Sequence, residues 1–434
     1  MRKNLLLLAS LFFGVAATAQ EVDENGYTTV NIAMQPAYAS QVYYKLGTNT
    51  QTPVTAANWD ISFQKSPGGM SMGSIRVNDH KAATFYEASA NIADWATINV
   101  ANEANWTKLY NSETTWSEGA FDNGSDNTPQ LGFGWGVYNM GNHHVTGTRI
   151  FVIKASATNY TKIIIEDYDS QGAGGPTYTF KHSTWNGTAW SADQTGTAVV
   201  SAGLATDFVY FSFTTNATVT VSPASTDWDF VFRKYNGLVQ SQGGDVMYGV
   251  TGALHNSTAN GVTIAAVNEA GTLTDFTLPA TDAYSSNINT IGDKWKVFNQ
   301  GTMSYEFPDK TYYVKYADGT IYRMYFITFE GSQTGNLSFK VKNVTPTAGI
   351  EDVKATAAFS IYPNPTVNKT VTVAYDNAQG NGNISIFSLT GAKVLEAKAG
   401  AASQELNLSN LNAGIYIVKF EAGNYTETKK LVIQ

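Results

Sequence analysis

Short runs in which every second residue is apolar dominate this chain. In Asn58–Lys65 (NWDISFQK), Trp59, Ile61 and Phe63 alternate with Asp60, Ser62 and Gln64, the period of a strand with one buried face. Gln41–Leu46 (QVYYKL), Leu131–Asn139, Arg149–Lys154 (RIFVIK), Thr161–Tyr168 (TKIIIEDY) and Tyr178–His182 (YTFKH) read as further strands. Short Gly, Asn and Ser turns between them predict an antiparallel meander. Gly68–Gly73 (GGMSMG) is expected to be a loop carrying Met70 and Met72. Residues 80–130 are polar and punctuated by Trp95, Trp106 and Trp116, which predicts loops and one helical turn.

The pattern then repeats. Asp207–Phe213 (DFVYFSF) matches QVYYKL, and Asp227–Lys234 (DWDFVFRK) matches NWDISFQK. Trp59, Asp60, Phe63 and Lys65 stand against Trp228, Asp229, Phe232 and Lys234. The Gly-rich loop returns as Gly243–Gly249 (GGDVMYG), now with Met247. Trp135–Val145 (WGVYNMGNHHV) is echoed by Trp295–Ser304 (WKVFNQGTMS), so that Met303 falls where His143 sits. Thr311–Tyr316, an Ala317-Asp318-Gly319 turn, Ile321–Phe329 and Leu337–Val341 close the second copy. Landmarks in one order, about 160–170 residues apart, indicate a duplication.

The expected organisation is an all-β protein: two antiparallel meander or sandwich domains at residues 20–203 and 204–345, a linker at 346–358, and a small β-sandwich at 359–434. Composition agrees, since aromatics make up 13% of the chain and charged residues only 14%. A net charge of −8 gives no basic footprint, so nucleic acid is not an expected partner. There is no Cys, which excludes disulfides, thiolate metal sites, covalent haem attachment and thiol catalysis. Arg2-Lys3, the apolar Leu5–Val15 and Ala17-Thr18-Ala19 read as an export signal over residues 1–19. No later run is long and apolar enough for a spanning helix, so the mature chain is expected to be exported and soluble.

Two resemblances add to this reading. Tyr362-Pro363-Asn364-Pro365, the turn Leu389–Val394, Leu408–Leu411, Gly414-Ile415-Tyr416 and Lys430-Leu431-Val432 resemble the type A C-terminal sorting domain of the type IX secretion system. That resemblance implies recognition by the secretion machinery, removal of this domain by a sortase-like peptidase, and release from the cell or anchoring at the outer-membrane surface. The Trp-Asp strands, with Trp295–Asn299, Tyr313–Gly319 and Tyr325–Phe329, resemble the HmuY family of haem-binding surface proteins. In the first copy the Ala-Asp-Gly turn has drifted to Ala155-Ser156-Ala157-Thr158-Asn159. The family resemblance implies haem held between two axial side chains on loops at one end of an all-β fold, and a haemophore-like role in iron acquisition. Haem or a haem-carrying host protein is then the expected partner.

Haem iron accepts His nitrogen or Met sulfur. The first copy offers Met70, Met72 and His80 on one side and Met140, His143 and His144 on the other; the second offers Met247 and His255 against Met303. By position in the family pattern, His143 (or His144) and Met303 take one axial place. The opposite place is left open between Met70, Met72 and His80, and between Met247 and His255. Duplicated domains diverge, so one haem or none is expected rather than two. His182 follows a strand and reads as structural. Trp106, Trp116, Trp185 and Trp190 are expected to anchor loops rather than to stack on sugars, and Asp122–Asn127 (DNGSDN) to be a plain turn rather than a calcium loop. No H-E-x-x-H, G-x-S-x-G or phosphate loop occurs, so catalysis is not expected. The competing reading is a surface adhesion, carbohydrate-binding or protein-binding module that keeps the fold without haem.

Overall fold

The computed structural model describes residues 22–66, 72–82, 84–172, 174–241, 243–259, 261–346, 359–375, 382–399, 403–422 and 425–434. The chain divides into two compact units, one ending at Thr345 and the other running Pro346–Gln434. The expectation of an all-β protein with antiparallel sheets is borne out.

Two sandwiches with the same strand order form the first unit. One outer sheet runs Gln194–Val199, Thr177–Thr184, Tyr160–Asp169, Ile150–Lys154, Thr84–Ser89; the other runs Thr28–Ala33, Asn336–Asn343, Ile321–Phe329, Thr311–Lys315, Thr263–Val267. The inner sheets are Ala217–Val219, Phe208–Ser212, Ile61–Gln64, Ile75–Val77 and, correspondingly, Thr50–Thr55, Ser40–Lys45, Phe230–Ser241, Gly244–His255. Even the ladder irregularity recurs, between Ile165 and Asp167 and between Phe326 and Thr328.

The two halves exchange strands. Ser40–Lys45 pairs with Phe230–Ser241, placing Tyr44 opposite Phe230. Phe208–Ser212 pairs with Ile61–Gln64, placing Phe211 opposite Ile61. Residues 28–55 therefore complete the sandwich built from 230–343, and residues 194–219 complete the one built from 61–184. Gln194–Val199 holds the sheet position that Thr28–Ala33 holds in the other half, so the strand pattern begins again at 194. The Trp-Asp motif secures each exchange. Asp60 Oδ2 accepts the Phe213 backbone N–H at 2.7 Å, and Asp229 Oδ2 accepts that of Leu46 at 2.7 Å.

Burial explains the continuous apolar runs of the inner strands. Tyr44, Phe230 and Phe232 face the core of one sandwich, and Ile61, Phe63 and Phe211 that of the other. The alternate residues Tyr43, Tyr210 and Val231 meet Trp59, Trp116 and Trp228 in a third core, where the two inner sheets pack back to back. Strands buried on both faces need no polar alternation.

Elsewhere the chain departs from expectation. Gly243–Gly249 is not a loop: Gly244–His255 is one long strand paired along its length with Phe230–Ser241. Between residues 80 and 130 lie two 3-10 helices, Ile92–Ala96 and Val100–Asn105, each capped by an Asn side chain, Asn91 and Asn99. The second unit is a sandwich of two sheets, Phe359–Tyr362, Thr370–Tyr375, Ser403–Asn407 and Lys393–Lys398, Asn383–Ser388, Gly414–Ala422, Tyr425–Ile433, closed over Val373, Ile386, Val418 and Leu431. Among the described residues no helix is long and apolar enough to cross a membrane.

Candidate functional site

The echo between WGVYNMGNHHV and WKVFNQGTMS is a pair of equivalent hairpins. Gly136–Asn139 pairs with His144–Gly147, and Val297–Asn299 with Ser304–Glu306. Asn139 faces His144 as Asn299 faces Ser304. At each tip the first Asn accepts the N–H of the loop Gly on its side-chain oxygen, Gly141 at 2.8 Å and Gly301 at 2.8 Å. Each loop ends on a left-handed residue, His143 at φ 62° and Met303 at φ 52°. Trp135 and Trp295, which begin the two stretches, are buried core residues.

The tips differ in chemistry. His143 Nδ1 lies 2.6 Å from the Tyr138 hydroxyl, leaving Nε2 as the atom of the ring open to a ligand. His144 Nδ1 lies 2.9 Å from Asp167 Oδ2, and its Nε2 lies 3.6 Å from Asp169 Oδ1, so carboxylates bracket that ring. A ring nitrogen held by a hydroxyl or carboxylate is the usual way a ligating imidazole is oriented. Met303 is 74% exposed and Met140 70% exposed.

Of the candidates for the opposite place, Met70 lies outside the described residues. Met72 is half-buried and packs on the core of the first sandwich. Its loop is rooted close to the His-bearing hairpin: Tyr178 donates its hydroxyl to the Gly73 carbonyl at 3.0 Å, and the Tyr168 hydroxyl is hydrogen-bonded by Ser66. Tyr168 in turn pairs with Val145, beside His144.

His80 is not brought to this place. Its neighbour Lys81 lines a cavity with Asn159 and Thr161, at the start of strand Tyr160–Asp169. His144 pairs with Asp169, at the far end of the same strand. Ten extended residues separate the two by roughly 30 Å. His80 lies instead near Lys234 and Arg233, and burial together with those charges pushes its pKa down to about 4.

In the second sandwich Met247 sits within a strand, opposite Leu238, rather than on a loop. Lys294 Nζ reaches the Leu238 carbonyl at 3.3 Å, tying that ribbon to the segment that leads into the Met303 hairpin. His255 is fully buried, pairs with Phe230, and has its pKa lowered to about 4 by burial. A planar macrocycle has no route to it. His182 is buried too; it bonds Asn216 Oδ1 at 2.9 Å and packs on Phe213, a structural role.

The first hairpin thus presents an imidazole oriented through Nδ1, with Ser66 and Gly73, which flank the Met-bearing stretch, bonded to the neighbouring strands. In the second sandwich the equivalent hairpin tip carries the thioether of Met303 in place of the imidazole. Sequence reasoning passed over Asn78 and Asn256, whose side chains donate to the carbonyls of Trp59 and Trp228 and fix the two Trp-Asp segments. They stand 18 and 27 residues after Asp60 and Asp229, spacings too unequal to register as a motif.

Residues 205–341 match the family described as HmuY protein, and residues 360–434 match the secretion system C-terminal sorting domain. The sorting domain marks the chain for export through the type IX system, to the cell surface or beyond it. No curated protein matches the chain. Among solved structures, PorZ, a surface component of the type IX secretion system of Porphyromonas gingivalis, aligns at 10% identity over 94% of this chain and 58% of its own, with a TM-score of 0.17. A polysaccharide lyase aligns at 9% identity over 87% of this chain and 46% of its own, with a TM-score of 0.15. The extracellular domain of a hybrid two-component system of B. thetaiotaomicron aligns at 8% identity over 96% and 72%, with a TM-score of 0.14. The chain thus spans about half the length of the first two, and scores this low carry no argument about fold or activity.

Proposed function

For a chain that carries an HmuY domain at residues 205–341 and a type IX sorting domain at 360–434, we propose a surface or secreted haem-binding protein that serves iron acquisition without catalysis. The observation that supports this reading is the oriented imidazole at the tip of the first hairpin, His143 with its Nδ1 held by Tyr138. His143 would hold the haem iron through Nε2. His144, bracketed by Asp167 and Asp169, braces the tip and sets the local charge. Met72 would be the candidate for a second donor to the iron. Haem, when bound, is the cargo and contributes the ligand-accepting iron. The second sandwich, with its exposed Met303, is read as the half that has diverged, so the expected stoichiometry is one haem per chain.

Adding haemin to the mature protein and recording the Soret region tests the reading. A saturable, red-shifted band at one equivalent is expected. His143→Ala should weaken binding by at least tenfold, and Met303→Ala should leave it unchanged. Absence of a saturable band overturns the proposal; loss of binding in Met303→Ala alone moves the site to the second sandwich.

A further inference from the structure

We propose that the first sandwich holds a second, separate binding site, a pocket beside Asp60 that takes a single neutral hydroxylated ring, namely a terminal sugar residue. The two halves diverge around the Trp-Asp motif. In the second half, Asp229 Oδ1 pairs with Lys45 Nζ at 2.9 Å, while Oδ2 accepts the Leu46 N–H at 2.7 Å and the Tyr316 hydroxyl at 2.5 Å. In the first half, Asp60 Oδ1 pairs with Lys81 Nζ at 2.6 Å and Oδ2 accepts the Phe213 N–H at 2.7 Å. The two carboxylates are held alike, the lysines arriving from unrelated parts of the chain.

What differs is the phenol. Tyr316 follows strand Thr311–Lys315 and donates its backbone N–H to the Thr320 carbonyl at 2.9 Å. Ala155 follows the equivalent strand Ile150–Lys154 and donates its N–H to Asn159 at 2.9 Å. One register step on, Tyr322, which packs edge-on to Tyr316 at 5.9 Å, is replaced by Thr161. Two phenol rings thus become a methyl and a hydroxyl, and a cavity of about 170 Å³ opens there, lined by Asp60, Lys81, Asn159, Thr161, Thr184 and Phe213 among others.

An apolar cavity of roughly 150 Å³ accommodates a benzene ring, so this one admits a six-membered ring with substituents. Tyr316 shows where the ring's hydroxyl would stand, donating to the carboxylate. Lys81 already neutralises Asp60, which disfavours a charged ligand. Several polar side chains around one aromatic face suit a ring with hydroxyls on most of its edge better than a phenol with one.

The test is titration of the mature full-length chain with methyl glycosides of glucose, galactose, mannose and N-acetylglucosamine, and with phenol, followed by saturation-transfer NMR. Binding of at least one glycoside is expected, at least tenfold weaker in Ala155→Tyr, which restores the phenol of the second half. Lys81→Gln, partly exposed and outside either core, gives the same reading should Ala155→Tyr disturb folding. Binding of no probe overturns the proposal, as does glycoside binding unaffected by either variant. Phenol binding without any glycoside binding overturns the sugar assignment. Haem titration of Ala155→Tyr should match the unaltered chain, so this outcome is separable from that of the haem reading.

Discussion

The indole N–H of Trp116 donates to the backbone carbonyl of His255 at 2.9 Å, across 139 residues of sequence. Trp116 belongs to the polar stretch of the first half, His255 to an inner strand of the second, and the bond crosses the seam where the two inner sheets meet. Arg76 reinforces it: the guanidinium lies 5.2 Å from the Trp116 ring and donates to the carbonyls of Ser112, Thr115 and Glu118. Trp116→Phe keeps an aromatic ring in the seam but removes the donor, together with part of the indole's packing. Leaving a buried carbonyl without its partner costs about 1–3 kcal/mol. Chemical denaturation should show that loss with an unchanged slope, and no loss at all would mean that the seam is not held through this bond.

His255 supplies a pH dependence with a definite sign. Its imidazole is buried and its pKa falls to about 4, against an ordinary value near 6.5. The unfolded chain therefore takes up a proton that the folded chain refuses as pH falls from about 6.5 to about 4. Stability contributed by the neutral ring is complete above 6.5 and is lost across that window, to the extent of about 3 kcal/mol. Other groups titrate there as well. Burial raises Asp122 to about 7, a shift that weakens the fold in the opposite direction, as pH rises. The measurement is therefore a difference: His255→Leu against the unaltered chain from pH 7 to pH 4. The variant should gain relative stability steadily as the pH drops, and a constant difference would exclude His255 as the source.

At the hairpin tips, a left-handed backbone costs a non-glycine residue roughly 1–2 kcal/mol. Met303 pays this with its side chain 74% exposed, so little is recovered from packing. Met303→Gly should raise stability by up to about 1 kcal/mol, after the extra chain entropy of glycine. His143→Gly removes the Tyr138 hydrogen bond along with the strain and should give no net gain. Comparing the two melting temperatures against the unaltered chain checks this. Equal gains would show that Tyr138 does not hold the imidazole.

The strands were legible because their patterns are local. Alternation in NWDISFQK and the unbroken apolar run of QVYYKL reflect burial on one face or two, and the sheets follow. Equivalence of His143 and Met303 was legible for the same reason, since a hairpin tip is set by its own few residues. Partner choice was not. Nothing in Phe208–Ser212 records that it pairs with Ile61–Gln64 rather than with the Phe230–Ser241 strand that follows it, because both candidates carry the same Trp-Asp-x-x-Phe-x-Lys frame. His80 and His255 looked like ligands because a histidine in a turn-rich stretch carries no mark of burial. The drift of the turn to Ala155–Asn159 was visible, but its consequence, a cavity beside Asp60, needs the second half as a template.

The exchange of strands makes each half depend on the other for its closure. Residues 224–346 on their own lack Ser40–Lys45 and Thr28–Ala33, which supply one inner and one outer strand of their sandwich. Without them the edges of Phe230–Ser241 and Asn336–Asn343 are unpaired, Val30, Ile32, Val42 and Tyr44 are missing from the core, and Asp229 loses both Lys45 and the Leu46 N–H. Unpaired edges beside a depleted core favour aggregation over folding. A fusion of residues 22–57 to 224–346 through a flexible linker restores all of these contacts within one short chain. The fusion should unfold in a single cooperative transition with near-ultraviolet circular dichroism from its packed aromatics, whereas 224–346 alone should show neither. Cooperative folding of 224–346 by itself would mean that the exchanged strands are ornaments on a core that closes without them.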